Sequence, residues 1–210
     1  MIYPKKNSII FWTMHWYVKW LLKKQFHELL FNTIETDANL SILLIANHYS
    51  FWDTLILYSI SHKLLKKNFH VMILEETSRE QVFLKYAGTF SVNKNSRDIL
   101  KSLDYAAGLL NDPKNLVLIY PQGKLYSNFV NEVNFEKGIL RIIKQAKGKF
   151  QLVFAAAFIQ YFKHKKPTAT VYLKIVNEAF VDKPINELQN AYQQYYSASK
   201  KLQTETDIEQ

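Results

Sequence analysis

Short apolar runs alternate with longer helical patterns along most of this chain, and this alternation constrains the fold more than any other feature. The apolar runs predict strands at 40–46, 69–75, 89–92, 116–120, 152–159 and 170–176. Helix signals occupy 51–66, 77–86, 96–111, 135–147 and 185–202. Strands that alternate with helices favour parallel pairing. We therefore predict an α/β fold with a mostly parallel central sheet covered by helices.

The composition is that of one globular domain without disulfides. A chain of 210 residues that is 48% hydrophobic can bury a full core, and it shows no low-complexity tract or obvious linker. It has no cysteine, which excludes disulfides and thiolate catalysis and is compatible with a reducing cytoplasm. Its six histidines lack the spacings of metal-ligand pairs, so we expect no metal site.

The net charge of +9 comes almost entirely from lysine, because the chain has only three arginines. Sequence-specific nucleic-acid binding favours arginine, so we expect no nucleic-acid partner. An RNA-binding domain would also interleave aromatic and basic residues on exposed strands, whereas most aromatics here lie in apolar runs. Diffuse lysine charge suits anionic lipid headgroups or an acidic protein partner.

An aromatic stripe near the amino terminus predicts a helix at a membrane surface. Its tryptophans recur every four residues, which places them along one helix face. The apolar run 8–22 is shorter than the about 20 residues that a membrane-spanning helix needs. We predict that residues 1–34 form an amphipathic, aromatic-rich membrane-association helix; the alternative is that the stripe packs on the domain core. The predicted membrane-contact residues are Trp12, Trp16, Trp20, Lys19 and Lys23.

A turn between a predicted strand and a predicted helix carries a histidine and a carboxylate five residues apart, His48 and Asp53. On one continuous helix they would point about 140° apart, so a turn must separate them. With Ser50 as the N-cap, Asp53 takes the third helical position and can fold back toward His48. The carboxyl end of a strand is also where open α/β sheets bind ligands. We predict a base and its orienting carboxylate; the alternative is that Ser50 and Asp53 are only a capping pair.

Four short motifs follow in order along the chain. Segments 47–53, 88–94, 120–123 and 135–138 read NHYSFWD, GTFSVNK, YPQG and FEKG. They resemble the N-H-x-x-x-x-D, G-x-x-F-[IV]-x-R, F-P-E-G and F-[KR]-x-G blocks of the glycerolipid acyltransferases, the lysophosphatidic acid acyltransferase-like family. The resemblance spans residues 40–158. The residues that support these motifs are Asn47, Gly88, Pro121, Phe135 and Gly138.

The resemblance implies roles for individual residues. In this family the histidine and the aspartate of the first block carry the chemistry, so His48 and Asp53 are the predicted catalytic pair. The second and third blocks are associated with holding a glycerol phosphate acceptor. The predicted acceptor-binding residues are therefore Lys94, Gln122, Gly123 and Lys124.

Both acceptor blocks depart from the family pattern. Ser91 replaces Phe, Lys94 replaces Arg, Gln122 replaces Glu, Lys124 replaces Thr and Leu125 replaces Arg. A lysine can hold a phosphate as a point charge, but it lacks the planar fork with which arginine binds two oxygens. The sequence therefore supports acyl transfer better than it supports any particular acceptor.

The implied activity is O-acyl transfer from an acyl thioester, on acyl-carrier protein or coenzyme A, to a hydroxyl of a lysophospholipid-like or other lipid acceptor. His48 would remove the hydroxyl proton while Asp53 fixes the imidazole tautomer. The chain has no cysteine and no serine-nucleophile motif, so direct transfer is expected. Backbone N–H groups near Gly123 or after Ser50 are candidates for holding the oxyanion. The alternative is a non-catalytic lipid- or acyl-carrier-binding protein that retains the fold.

The resemblance also sets the expected organisation and partners. Residues 35–210 are expected to form the acyltransferase domain, a single globular unit with the amino-terminal helix. No cofactor is expected, with acyl-CoA or acyl-ACP serving as co-substrate. The expected partners are membrane lipids and an acidic acyl-carrier protein, and the expected location is peripheral, on the cytoplasmic face of a membrane. The sequence leaves the oligomeric state open.

Overall fold

A computed structural model describes residues 2–5, 7–80, 88–92, 99–146 and 149–206 of the chain. Strands and helices alternate along it as the sequence predicts. In chain order they are α1 (Ser8–Gln25), β1 (Glu28–Phe31), β2 (Ser41–Ala46), α2 (Trp52–Ile60), β3 (Asn68–Leu74), α3 (Glu75–Glu80), β4 (Thr89–Val92), α4 (Ile99–Leu109), β5 (Asn115–Ile119), α5 (Gly138–Gln145), β6 (Phe150–Gln160), β7 (Thr168–Val176) and α6 (Ile185–Thr204). A π-helical turn, Ser61–Leu65, continues α2.

The strands among these residues form one seven-stranded sheet with the order β1-β7-β6-β2-β5-β3-β4. Neighbouring strands run parallel except β6 and β7, which are antiparallel. Every residue of the central strands β2 and β5 is buried, as expected for parallel strands covered on both faces. The predicted α/β fold with a mostly parallel, helix-covered sheet is confirmed.

Helices cover the two faces of the sheet and make two hydrophobic clusters. On one face α1 and α2 pack on the sheet through side chains that include Val18, Leu22 and Ile56. On the other face α4, α5 and α6 pack through side chains that include Ile142 and Tyr192. Because β2, β3, β4, β5 and β6 are parallel, their carboxyl ends share one edge of the sheet, named here the motif edge.

The amino-terminal region contains a strand that the sequence analysis missed. Helix α1 begins after the N-cap Asn7, whose side chain accepts hydrogen bonds from two backbone N–H groups, and it ends at Gln25. Residues 28–31 then pair in parallel with β7 at the sheet edge, inside the segment 1–34 that was predicted as helix. Since α1 shares the core of the sheet, it belongs to the same globular body. A domain division at residue 34 stays a prediction.

The tryptophan stripe of α1 faces away from the protein. Trp12, Trp16 and Trp20 are between 52% and 62% exposed, whereas Val18 and Leu22 on the opposite side are buried in the core. The stripe therefore does not pack on the domain core of this chain, which was the alternative prediction. Both faces of α1 carry large apolar side chains, and its amphipathic character stays a prediction. Within the described ranges, no helix has the length and apolarity to cross a membrane.

Several predicted helix boundaries shift by a few residues. Predicted helix 135–147 begins three residues late, at Gly138, because the loop before it turns back and Glu136 N–H donates to Pro121 O at 2.8 Å. The helix predicted over 51–66 is regular only to Ile60 and then widens into the π-helical turn. The predicted helices 77–86 and 96–111 lie partly outside the described residues, and so does the predicted N-cap Ser96.

Candidate active site

The exit from β2 is fixed to its neighbour by a buried asparagine. Asn47 Nδ2 donates to Ala157 O at 2.9 Å, and Ala157 N–H donates to Asn47 Oδ1 at 2.8 Å. The pair of bonds holds the chain against β6 at the point where β2 ends. His48 therefore leaves the sheet at the motif edge in a defined direction.

Asp53 reaches back across the turn to His48, as the sequence analysis predicts. The His48 Nδ1 to Asp53 Oδ2 distance is 2.9 Å, and Oδ2 also accepts the N–H groups of Tyr49 at 2.7 Å and Ser50 at 2.9 Å. The Ser50 hydroxyl donates to Asp53 Oδ1 at 2.7 Å. Asp53 is completely buried, and these four donors offset the cost of burying its negative charge.

This arrangement sets the tautomer of His48. An ionised carboxylate only accepts hydrogen bonds, so Nδ1 carries the proton and Nε2 keeps a free lone pair. The side chain of His48 is partly exposed, in contrast to Asp53. The predicted capping role of Ser50 is only partly met, because α2 begins at Trp52 with Phe51 at the N-cap position. Ser50 Oγ still accepts from Trp52 N–H at 3.2 Å.

Two residues that the sequence analysis did not select hold the imidazole plane. The ring of Tyr120 stacks on His48 with centroids 3.9 Å apart and planes 13° from parallel. The Tyr120 hydroxyl lies 3.0 Å from Thr54 Oγ1 on α2, one helix residue after Asp53. Burial, and secondarily the charge of Asp53, raises the pKa of the Tyr120 phenol, so it stays neutral. Tyr120 stands at the Phe position of the third motif block, and this position is the signal from which it could have been found.

Gln122 connects the third motif block to the first. Its Oε1 accepts the backbone N–H of His48 at 2.8 Å, and the residue is buried. The chain then folds over the turn again, because Tyr126 N–H donates to His48 O at 3.1 Å. The first and third blocks therefore form one hydrogen-bonded unit at the motif edge. A role for Gln122 in binding the acceptor stays a prediction.

Two of the other predicted acceptor residues lie at the opening beside this unit, and the third is outside the described residues. Gly123, at a φ of 66°, and Lys124 line the same opening as His48. Gly123 N–H donates to Tyr120 O at 3.1 Å, and after Ser50 the N–H groups of Trp52 and Asp53 donate to Ser50 Oγ at 3.2 Å and to Ser50 O at 3.4 Å. These candidate oxyanion donors are thus already engaged within the protein. Lys94 lies outside the described residues.

The supporting motif residues lie in different parts of the fold, and Gly88 stands at the amino-terminal end of β4, opposite the motif edge. Gly88 has a φ of 80°, and a Cβ there would lie 2.1 Å from Phe69 O, so only glycine fits. Gly138 begins α5 and lines the opening, while Phe135 N–H donates to Gln189 Oε1 at 3.2 Å. Ser91, in place of the family's Phe, accepts Ile2 N–H through its hydroxyl at 2.6 Å.

A cavity of about 500 Å³ opens at His48 and runs between the motif edge and helices α4 and α5. The lining includes some polar residues, among them Thr54, Thr89, Lys124 and Glu136. Apolar side chains line most of the remaining wall, including those of Met72, Leu103, Ile139 and Ile142. The sequence analysis did not find these wall residues. Their apolar periodicity is the same as that of ordinary core residues.

Comparison with known proteins places the chain in a family. The Acyltransferase family model matches residues 31–159, which is more than half of the chain. The chain therefore belongs to the acyltransferase family, the lysophosphatidic acid acyltransferase-like glycerolipid acyltransferases. Membership supports acyltransferase activity in general. No curated protein sequence matches the chain significantly.

Proposed function

We propose that this protein is an O-acyltransferase that moves a fatty acyl group from a thioester carrier to a hydroxyl of a lipid acceptor. One observation carries the proposal: a histidine with a free Nε2, oriented by a buried carboxylate, lies at the opening of a largely apolar cavity. The imidazole suits proton transfer, and the mostly apolar wall suits an acyl chain.

His48 acts as the general base in the proposed reaction. An alcohol is a weak nucleophile at neutral pH, so Nε2 takes its proton as the oxygen attacks the thioester carbonyl carbon. The tetrahedral intermediate collapses, the carbon–sulfur bond breaks, and the leaving thiolate recovers the proton from the imidazolium. Asp53 stabilises the imidazolium and keeps the ring in place. Tyr120 restricts ring rotation by stacking on it.

We propose that the acyl chain binds in the cavity. The cavity volume of about 500 Å³ lies within the roughly 300–1,000 Å³ of ligand pockets and is larger than a short acyl group needs. Each methylene removed from water contributes about 0.8 kcal/mol to binding. This size favours long fatty acyl donors over acetyl or other short groups.

The acceptor is the part of the reaction in which this chain departs from its family. Gln122 is neutral, and its Oε1 is already bound to His48 N–H, so the family's acceptor carboxylate is absent. Lys124 supplies positive charge at the opening, which suits an anionic acceptor. Its ammonium group acts as a point charge and cannot bind two oxygens in a fixed geometry, as arginine does. We propose that lysophosphatidate is a poor acceptor and that a hydroxyl on another lipid is preferred.

Lipid substrates require contact with a membrane. We propose peripheral association with the cytoplasmic face through α1, whose exposed tryptophans carry lysines above their rings. Lys19 Nζ lies 4.9 Å from the Trp16 ring centroid, and Lys24 Nζ lies 4.9 Å from that of Trp20. The acyl donor is acyl-CoA or acyl-carrier protein, without a further cofactor. An acidic carrier protein would suit the net charge of +9.

The test is a panel assay with purified protein, a long-chain acyl-CoA and the corresponding acyl-ACP as donors, and several hydroxyl lipids including lysophosphatidate. Thiol release and the acylated lipid are measured for the wild type, Gln122→Glu and His48→Ala. We expect product formation that His48→Ala abolishes, and a larger share of lysophosphatidate acylation in Gln122→Glu. Lysophosphatidate as the best acceptor of the wild type would refute the acceptor proposal but leave acyl transfer intact.

The second candidate is a non-catalytic lipid- or acyl-carrier-binding protein. The altered positions Gln122, Lys124 and Leu125 favour it, and the intact His48–Asp53 pair opposes it. Tight binding of a long-chain acyl thioester without thiol release in any donor and acceptor combination would select this candidate.

A further inference from the structure

Three exposed apolar side chains stand at the motif edge, on two neighbouring loops. Phe129 is 84% exposed, and Leu125 and Tyr161 are each more than half exposed. Leu125 and Phe129 follow β5, and Tyr161 follows β6. The loop after β5 reaches the end of β6, where Asn128 Nδ2 donates to Ile159 O at 3.5 Å, two residues before Tyr161. These three residues are named here the apolar rim.

The loop that carries Phe129 is held in place rather than left free to fold inward. Lys200 Nζ on α6 donates to Phe129 O at 3.1 Å and to Val130 O at 2.9 Å. Gln193, also on α6, donates to Asn131 O at 2.7 Å and accepts Val133 N–H at 2.9 Å. The protein thus uses several side chains to keep a phenylalanine in contact with solvent, against the hydrophobic effect.

The apolar rim is continuous with the opening of the cavity. Leu125 lines that opening together with His48 and Lys124, and Phe51, more than half exposed, lines it from the start of α2. A surface that covers the rim would therefore also lie over the catalytic histidine. The proposed lipid acceptor must reach the same opening.

The charge around the rim is positive. Lys124, Lys165 and Lys166 are exposed on the two loops. Two glutamates, Glu132 and Glu136, lie on the loop after β5 and Glu136 lines the cavity, while the sequence from 137 to 177 has no aspartate or glutamate, so the lysines predominate. Aromatic side chains together with lysines are typical of surfaces that lie in the headgroup region of anionic bilayers.

A stacked histidine pair joins this surface to the end of α1. The rings of His27, just after α1, and His164, on the loop of Tyr161, lie 3.5 Å apart with planes 20° from parallel. The carboxyl end of α1 and the rim loop are thus neighbours on the surface.

We propose that the apolar rim is a second membrane-contact surface, which inserts into an anionic bilayer and holds the opening of the cavity against it. The partner is a lipid surface with anionic headgroups. This inference goes beyond the proposed acyl transfer, because it requires neither the donor nor the chemistry of His48. It also differs from membrane binding by α1, since the rim is formed by other residues.

The chain has no cysteine, so a single introduced thiol can be labelled without background. Phe129→Cys carries an environment-sensitive fluorophore, and Asn111→Cys, exposed on the turn before β5, is the matched control. With phosphatidylcholine vesicles containing phosphatidylglycerol, we expect a blue shift and quenching by lipid-attached quenchers at position 129 but not at 111. No shift at 129, whether or not the protein co-floats with the vesicles, would overturn the proposal. So would a shift with soluble acidic acyl-carrier protein but not with vesicles.

The variants Phe129→Ser and Tyr161→Ser separate this inference from the proposed activity. Neither residue lines the cavity. We expect each variant to turn over a detergent-solubilised acceptor at the wild-type rate and a vesicle-embedded acceptor several-fold more slowly. Equal rates on vesicles for the double variant and the wild type would overturn the membrane contact. A protein without any acyltransferase activity would still show the fluorescence shift, so the two proposals fail independently.

Discussion

The 47–53 turn and helix α1 differ in how many of their side chains have partners elsewhere in the chain. Around the turn, both carboxylate oxygens of Asp53 accept hydrogen bonds, and His48 has a carboxylate on one ring nitrogen and a tyrosine on its face. On α1, three tryptophans face solvent, and His15 lies beside another histidine, His62, at 4.1 Å. Interior contacts define the first region, whereas the second carries apolar surface without a protein partner among the described residues. This difference is in keeping with the two proposed roles, proton transfer at the turn and membrane contact on α1.

Removing the base should have the largest effect. We expect His48→Ala to lower acyl transfer by about 10²-fold or more while leaving the fold intact, because the lost function is proton transfer. The matched control is His164→Ala, which removes a partly exposed imidazole that is also stacked on an aromatic ring. Turnover and circular dichroism of both variants check this. Wild-type turnover in a folded His48→Ala protein would reject the catalytic assignment.

Asp53→Asn should also impair transfer severely, by on the order of 10²-fold, because an amide can hold His48 in the wrong tautomer. The structure adds a cost in stability that the motif alone does not predict. Asp53 accepts four hydrogen bonds in a completely buried place, and an amide offers fewer acceptor sites. We expect a loss of about 1–3 kcal/mol in unfolding free energy, measured by urea denaturation. An unchanged denaturation midpoint would show that the turn tolerates the amide.

The contrast predicts that the tryptophan stripe can be changed without damage to the core. The triple variant Trp12→Ser, Trp16→Ser and Trp20→Ser should bind anionic vesicles at least about tenfold more weakly, with a wild-type melting temperature. Deleting α1 is a poorer test, because Val18 and Leu22 are buried in the core. Co-flotation at low and high salt measures the effect, and salt should weaken wild-type binding. Unchanged flotation of the triple variant would assign membrane binding to other surfaces.

The smallest expected effect concerns pH and the contact between α1 and α2. Burial lowers the pKa of His15, and the positive charges of His62 and Lys19 lower it further. Since the folded pKa lies below the unfolded value of 6.5, the unfolded chain takes up the proton first as pH falls. Stability is therefore lost on acidification through about pH 6.5 and unaffected well above it. We expect the melting temperature to fall by a few degrees toward pH 5.5, and by less in His15→Phe. An identical fall in both proteins would exclude His15 as the cause.

The central strands and the motif turn could be predicted because single local patterns determine them. The run at 41–46 is apolar at nearly every position, as a covered parallel strand requires, and His48 and Asp53 could meet only across a turn. The short edge strand 28–31 carries no comparable pattern: alternate residues are exposed, and its pairing with β7 spans about 140 residues. Strand pairing over such distances follows from the assembled sheet and not from local sequence.

The cavity wall and the hydrogen bond from His48 to Gln122 could not be predicted for another reason. Leu103 and Ile142 show the spacing of any packed helix face, so nothing local separates a cavity wall from a filled core. Gln122 occupies a position that the family resemblance assigns to the acceptor, yet its Oε1 binds a backbone N–H 74 residues away. Position in a motif predicts proximity to the site; it does not predict which partner a buried amide selects.

Because hydrogen bonds from α6 hold the loop after β5, the parts of the site form in a fixed order during synthesis of the chain. They join residues separated by 60 to 71 positions in the chain. While the polypeptide is being synthesised, the first and third motif blocks leave the ribosome well before Gln193 and Lys200 do. The loop that borders the opening of the cavity therefore stays without its anchors until α6 has emerged. A chain that ends before α6 contains both partners of the His48–Asp53 hydrogen bond but not the side chains that anchor the loop at the cavity opening.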